Sequence, residues 1–328
     1  MHVLVTGGAG FIGGHLAEAF LEDGHDVTVL DNLEPFYAEG IKRHTLDIHR
    51  EVAREEDSEY RFVKEDVRDT GTVREVVDDA DVVVHQAAQA GVRESVDNPR
   101  KVTDINVDGT VNLLQASKET NVDRVIIASS SSVYGKPRSL PYGEDHPTEP
   151  VSPYGVTKLA QEHMARVYSE LYRLPTVCLR YFTVYGPRMR PNMAISNFVS
   201  RCLNGESPVI YGDGQQTRDF THIGDVVEAN RTLLTGGAAD GEVLNIGSSD
   251  NISIQELAEV VRDKVAPELE IEYETARGAD AEHTHASVKK ADELIGYEPS
   301  RTITEGVDEF IEWYEANREW YEPLVRSS

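Results

Sequence analysis

Tyr154 and Lys158 stand four residues apart in P-Y-G-V-T-K, and the residues that follow, L-A-Q-E-H-M-A-R-V-Y-S-E-L, read as a helix. Positions i and i+4 share a helix face, so the phenol and the ammonium lie side by side. A cation beside a phenol favours the phenolate and lowers its pKa from about 10, which makes tyrosine a usable base near neutral pH. Upstream, A-S-S-S-S-V-Y-G at residues 128–135 closes an apolar run and brings a hydroxyl, Ser130, toward the same place. A Tyr-x-x-x-Lys pair on its own also fits a solvated helix face, so its meaning depends on the elements around it.

Those elements begin at the N-terminus. Residues 2–6, H-V-L-V-T, read as a buried strand, G-G-A-G-F-I-G follows at residues 7–13, and H-L-A-E-A-F-L-E-D reads as a helix ended by Gly24. Strand, glycine turn and helix together are the setting that a dinucleotide fingerprint requires. Gly7, Gly10 and Gly13 permit a tight turn and a close approach of backbone to pyrophosphate, with Phe11 and Ile12 in the same cofactor-binding turn, and the helix that follows faces the phosphates with its positive end. A second strand, D-V-T-V-L, leads to Asp31, roughly twenty residues beyond the glycines, where an acid accepts the ribose diol and repels a 2′-phosphate. The cofactor expected is NAD rather than NADP.

Further strands end at Asp66-Val67, placed to flank the adenine, and at His85-Gln86-Ala87-Ala88, where small residues admit the cofactor closely. His85 itself reads as a structural strand-end histidine. The residues between Asp31 and position 48 read as a polar insertion, and residues 51–59 as an acidic helical run. Strands alternating with helices imply an α/β fold, a Rossmann-type doubly wound parallel sheet, with ligands at the carboxyl ends of its strands. Gly7, Asp31, His85 and Ser130 all fall at such ends. The second half is less regular and reads as a smaller α/β C-terminal domain, whose strand E-V-L-N-I-G is able to return to the first sheet. His283 and His285 lack cysteine partners, and no metal site is expected.

With 32 basic and 58 acidic side chains in 328 residues the net charge is −26, a value that opposes binding to nucleic acid or anionic membrane. Only nine of the basic residues are lysine, and the acids are dispersed, a pattern that suits a salt-rich cytosol. No apolar run approaches the ~20 residues of a membrane span. Two cysteines, Cys178 and Cys202, fit a reduced cytoplasmic protein without disulfides.

Taken together, T-G-G-A-G-F-I-G, L-D-N-L, H-Q-A-A, S-S-S-S-V-Y-G, P-Y-G-V-T-K, L-R-Y-F-T-V-Y-G-P and G-D-G-Q-Q-T-R-D-F-T-H-I-G-D resemble the extended short-chain dehydrogenase/reductases that act on nucleotide sugars, essentially from end to end. The resemblance implies an NAD-binding domain at residues 1–180, joined by segments near 219–248, and a UDP-sugar-binding domain at 181–328. It implies Tyr154 as base, Lys158 as its partner and a ligand of the nicotinamide ribose, and Ser130 as a hydrogen-bond partner of the sugar hydroxyl being oxidised. Asn32, beside Asp31, belongs to the cofactor set. Arg218 and Arg277 would hold the diphosphate, and Tyr211 would pack near the uracil.

Dehydratases and decarboxylases of this family usually carry an acid within two residues after the serine hydroxyl. Here those places hold Ser131 and Ser132, which leaves 4-epimerisation, by transient oxidation at C4, as the reaction implied. Net redox, dehydration or decarboxylation of a nucleotide sugar is the competing enzymatic reading, and a non-catalytic NAD sensor is the third. Thr183 stands where glucose/galactose epimerases often have asparagine. The segments G-P-R-M-R-P-N-M-A and N-L-E-P-F-Y-A-E-G-I-K look like those of UDP-glucuronate 4-epimerases, in which case Arg190 or Arg93 would meet a C6 carboxylate. Neutral hexose and uronate both remain open. The family also implies a homodimer, built from the helix near residues 107–117 and the helix carrying Tyr154.

Overall fold

The computed structural model describes residues 1–275 and 283–326. The first half alternates as the sequence pattern requires: β1 (His2–Thr6), α1 (Phe11–Glu22), β2 (Asp26–Leu30), α2 (Glu39–Glu55), β3 (Tyr60–Val63), α3 (Thr70–Asp78), β4 (Val82–His85), α4 (Val92–Asp97), α5 (Pro99–Thr103), α6 (Gly109–Ser117), β5 (Arg124–Ser130), α7 (Pro153–Tyr172) and β6 (Thr176–Tyr181). A π-helical turn, Asp104–Asp108, joins α5 to α6. The second half contributes β7 (Thr183–Tyr185), α8 (Ala194–Leu203), β8 (Val209–Tyr211), β9 (Thr217–Arg218), β10 (Phe220–His222), α9 (Ile223–Leu234) and β11 (Val243–Ile246). It ends with β12 (Ile252–Ser253), α10 (Ile254–Val265), β13 (Glu272–Glu274), α11 (Lys289–Ile295), α12 (Ile303–Ala316) and α13 (Arg318–Arg326).

Seven strands form one sheet in the order β11-β6-β5-β4-β1-β2-β3, and every pairing in it is parallel. Side chains of a strand alternate between faces, so each strand feeds two cores. Val3 and Val5 join Leu16 and Phe20 of α1 on one face, whereas Leu4 joins Val73 and Val77 of α3 on the other. Val82 and Val84 divide from Val83 in the same way. Near-continuous valine and isoleucine runs are therefore required by a sheet covered on both faces. Chain order reverses between β1 and β4, and this switch point opens a crevice at the carboxyl ends of the strands. The remaining strands make three two-stranded pairs, β10-β7, β12-β9 and β13-β8, beside that opening.

One element departs from the sequence reading. α2 starts at Glu39 and absorbs much of the segment read as a polar insertion. Its buried face mixes Lys42, Thr45 and His49 with Ile41, Leu46 and Ala53, so apolar periodicity alone does not reveal it. It packs on α1, where His49 meets the Gly14 carbonyl at 2.8 Å, and its outer side is covered from the far end of the chain: Trp320 stacks on His44 at 3.8 Å, and Leu324 lies against Gly40.

No helix among the described residues is long and apolar enough to cross a membrane. Cys178 and Cys202 are both buried and unbridged. Among the described residues no group of His, Cys, Asp and Glu is arranged to hold a metal.

Candidate active site

The glycine turn is fixed before any ligand arrives. Gly7 has φ +70°, a left-handed conformation, and a Cβ placed there would lie 2.7 Å from the Ala87 nitrogen. A Cβ on Gly13 would lie 2.4 Å from the Gly7 carbonyl, so α1 packs directly on the turn. Asp31 follows β2 and is buried; one carboxylate oxygen accepts the Ala9 N–H at 3.1 Å and the other accepts the Leu33 N–H at 2.8 Å. Asn32 donates to Asp66 at 2.8 Å, and hydrogen bonds from Arg68 hold the Asp66 carboxyl down at about 2.

β5 and α7 deliver the reactive groups. Ser152 caps α7 by accepting the Gly155 N–H, and Pro153 occupies the first helical turn, where its missing N–H costs nothing. Tyr154 therefore projects from the helix start toward the end of β5. Lys158 lies one turn further, buried, with its ammonium 5.8 Å from the centre of the Tyr154 ring. That ammonium donates to the Ala128 carbonyl at 2.7 Å, and burial lowers its pKa to about 8. The expected lowering of the phenol by Lys158 is not what this site does: burial raises the Tyr154 pKa above its ordinary value. The positive charge of Arg190 and the hydroxyl of Ser130 act against that rise. An i,i+4 spacing sets which helix face the lysine occupies, but the strand carbonyl decides where its ammonium ends.

Beneath these groups runs a buried polar lattice. Glu162, one turn beyond Lys158, accepts two hydrogen bonds from Arg180 of β6, at 2.8 and 2.7 Å, and one from Ser129, the neighbour of Ser130. Arg180 also donates to the Tyr134 hydroxyl at 2.8 Å, and Tyr134 donates to Asn245 of β11 at 2.7 Å. On the other side, His85 sits between the hydroxyls of Thr6 at 2.7 Å and Thr110 at 2.9 Å, and burial holds it neutral by lowering its pKa to about 3. Asn106, in the π-helical turn, donates to the Thr157 hydroxyl at 3.0 Å. α7 is thus pinned to β5, β6 and the turn before α6 without using Tyr154.

A single cleft of about 2160 Å³ joins these parts. Its cofactor side is lined by Gly7, Gly10, Phe11, Ile12 and Gly13, with Asp31, Asn32, Asp66, Val67, Ala87 and Ala88 beyond them. Ser130, Ser131, Tyr154 and Lys158 lie in its wall, as do Thr183 and Arg190. Arg93, Tyr211 and Arg218 line it from the remaining sides. Arg277 lies outside the described residues. The Arg218 guanidinium donates to the Thr217 carbonyl at 2.9 Å, and the next residue, buried Asp219, anchors the backbone by accepting the Ser248 N–H at 2.8 Å and the Ala286 N–H at 3.0 Å. Sequence reasoning left out Phe36, Tyr37 and Lys42, which also line the cleft. Two aromatic residues in a polar stretch directly after Asp31 were the one signal, and that signal does not say where either ring points.

The cradle fits a dinucleotide: a Cβ on Gly10 would lie 3.2 Å from the Gly7 carbonyl, so a glycine keeps the turn tight, and the buried Tyr37 hydroxyl beside it donates to no acceptor. A parallel Rossmann sheet with a serine, tyrosine and lysine set at its switch point defines an extended short-chain dehydrogenase/reductase. The family model described as GDP-mannose 4,6 dehydratase matches residues 4–310, and the chain belongs to this family of nucleotide-sugar enzymes. It is 37% identical over 320 residues to a putative UDP-glucose 4-epimerase of Methanocaldococcus jannaschii, covering 96% of this chain and 99% of the relative. The crystal structure of a UDP-glucuronic acid 4-epimerase from Bacillus cereus, in complex with UDP-glucuronic acid and NAD, superposes with a TM-score of 0.89 at 35% identity, covering 96% of this chain and 99% of that one. A UDP-glucose 4-epimerase from Thermotoga maritima with UDP-glucose gives 0.88 at 31%, covering 97% and 100%.

Proposed function

We propose that this chain is an NAD-dependent UDP-sugar 4-epimerase and that its sugar is a uronate, UDP-glucuronate interconverting with UDP-galacturonate. The reaction is the one named for the relatives above, and the B. cereus relative carries both NAD and UDP-glucuronic acid. NAD, which the glycine turn and Asp31 would hold, would supply the hydride chemistry at C4 of the sugar. The protein's own groups do the rest. As the phenolate, which Arg190 and Ser130 favour against burial, Tyr154 accepts the O4 proton as the C4–O4 bond becomes a carbonyl, and returns it when the alcohol re-forms. Ser130 hydrogen-bonds the same oxygen, and Lys158 lies against the ribose on the nicotinamide side. Arg218 and Arg277 hold the diphosphate, with Tyr211 against the uracil. Ser131 and Ser132 present hydroxyls where elimination or decarboxylation needs a carboxylate, which supports epimerisation over those reactions.

The observation that carries the uronate is Arg190. Its guanidinium lies over the Phe36 ring at 5.6 Å and close enough to Tyr154 to oppose the rise in the phenol's pKa. Burial lowers its own pKa, and no carboxylate among the described residues forms an ion pair with it. A guanidinium is a planar fork that matches a carboxylate, and a sugar carboxylate on C5 stands next to the carbon being oxidised. A hydrogen bond to a charged group is worth about 1.5–3 kcal/mol, or roughly tenfold to a hundredfold in affinity. Arg190→Leu is expected to lower kcat/KM for UDP-glucuronate by about that factor and for UDP-glucose by much less. Equal losses for the two sugars would remove Arg190 as the carboxylate's partner.

The reading includes a homodimer in a salt-rich cytoplasm. α7 exposes Val156, Met164, Val167 and Leu171 at helical spacing, with Val156 and Leu171 at 53% and 69% exposure. Such a stripe on one helix suits a second copy of the same helix. Light scattering in molar salt should give twice 36.4 kDa; a species of that mass alone would contradict the dimer.

A further inference from the structure

The segment joining β2 to α2 crosses the crevice rather than turning away from it. Leu33 is buried in a left-handed conformation, φ 58°, and the Leu33 and Glu34 amides donate to Asp31 and Asn32. The Glu34 carboxylate then accepts from Lys101 of α5 at 2.7 Å, while its carbonyl accepts from Lys42 at 2.9 Å. Phe36 packs where a Cβ on Gly91 would come within 3.3 Å, and lies beneath Arg190. The chain is thereby strapped to both walls of the cleft, and Tyr37 is set facing the glycine turn.

The Tyr37 hydroxyl donates to no acceptor in this arrangement, although the Phe11 backbone at the start of α1 faces its oxygen and the Lys42 ammonium lies over its ring at 5.3 Å. The hydroxyl is buried and lies 4.0 Å from the position of a Cβ on Gly10, beside the N-terminus of α1. A buried hydroxyl whose donor is unused is costly unless a ligand completes it. The cradle at Gly10 and the helix N-terminus select an anion. We propose that Tyr37 is a cofactor-binding residue whose hydroxyl donates a hydrogen bond to the pyrophosphate of the bound dinucleotide. Burial and the nearby Asp31 carboxylate raise the Tyr37 pKa well above its ordinary value, which keeps the hydroxyl protonated and able to donate. A neutral donor also suits a cleft that already holds Arg188 and Arg190 close by. The strap explains how an epimerase keeps its cofactor through many turnovers, and to that extent the inference rests on the NAD-dependent reading above.

The test uses stripped, full-length protein in molar salt and titration calorimetry with NAD, ADP-ribose and adenosine, for wild type and Tyr37→Phe. The variant is expected to bind NAD and ADP-ribose about tenfold to a hundredfold more weakly, the range for one hydrogen bond to a charged group, and adenosine unchanged. Its NAD content as purified should fall in parallel. Unchanged NAD affinity would overturn the proposal, and so would an equal loss for adenosine, which lacks the pyrophosphate. Wild type that binds NAD but epimerises no UDP-sugar would overturn the proposed reaction and leave the role of Tyr37 standing on the titrations.

Discussion

Tyr154→Phe is expected to bind NAD and UDP-sugar as wild type does and to lose about a hundredfold or more in turnover, the range for a positioned acid-base group starting at about that factor. The substitution deletes one oxygen from a residue whose backbone and ring are fixed independently. Ser152 caps the helix, and the Thr157 hydroxyl donates to the Tyr154 carbonyl at 2.8 Å. Lys158 is tied to Ala128, not to the phenol, so it stays in place when the hydroxyl goes. The glycine turn and the Arg218 side of the cleft are likewise untouched. Single-turnover kinetics with calorimetric binding of both ligands checks the split between chemistry and affinity. Near-normal turnover would remove Tyr154 as the base.

Arg180→Ala is expected to destabilise the fold by about 3–5 kcal/mol, the cost of stranding one member of a buried pair. Glu162 and Arg180 are both buried, 5% exposed each, and Arg180 meets Glu162 through two parallel hydrogen bonds. Removing the guanidinium leaves a carboxylate under the sheet with only Ser129 to hold it. It also frees Tyr134, whose hydroxyl bridges to Asn245. The paired change Arg180→Met with Glu162→Gln should cost less than Arg180→Ala alone, because no unpaired charge remains. Urea unfolding at constant salt measures both. A larger loss in the double variant than in the single would mean that shape, not charge, governs this lattice. Since Glu162 touches Ser129 and shares α7 with Lys158, the same pair also holds the two arms of the active site in register.

How much of this was readable in the chain itself depends on the range of the forces involved. The glycine turn, Asp31 and the Ser130, Tyr154 and Lys158 set were legible because strand ends in a doubly wound sheet converge whatever the loops do. The Rossmann sheet was legible for a similar reason, since valine-rich runs covered on both faces leave few alternatives. α2 was not, because its buried face carries Lys42, Thr45 and His49, and part of what covers it, Trp320 on His44 and Leu324 on Gly40, comes from the opposite end of the chain. The direction of the Tyr154 shift also escaped. Helical spacing fixed the neighbourhood of the lysine, whereas burial of the phenol and the Ala128 carbonyl are tertiary effects. Tyr37 was passed over because nothing local distinguishes an aromatic in a loop from one aimed at a phosphate cradle.

The central claim is that the protein interconverts C4 epimers of a UDP-sugar with a cofactor it retains. The most direct measurement is chromatography of the products after incubating purified protein with UDP-glucuronate in high salt, without added NAD. The account predicts conversion to UDP-galacturonate until the two epimers reach equilibrium, with no net NADH and no loss of carbon dioxide. Absence of the epimer even when NAD is supplied, or accumulation of NADH or a decarboxylated sugar in its place, would contradict it.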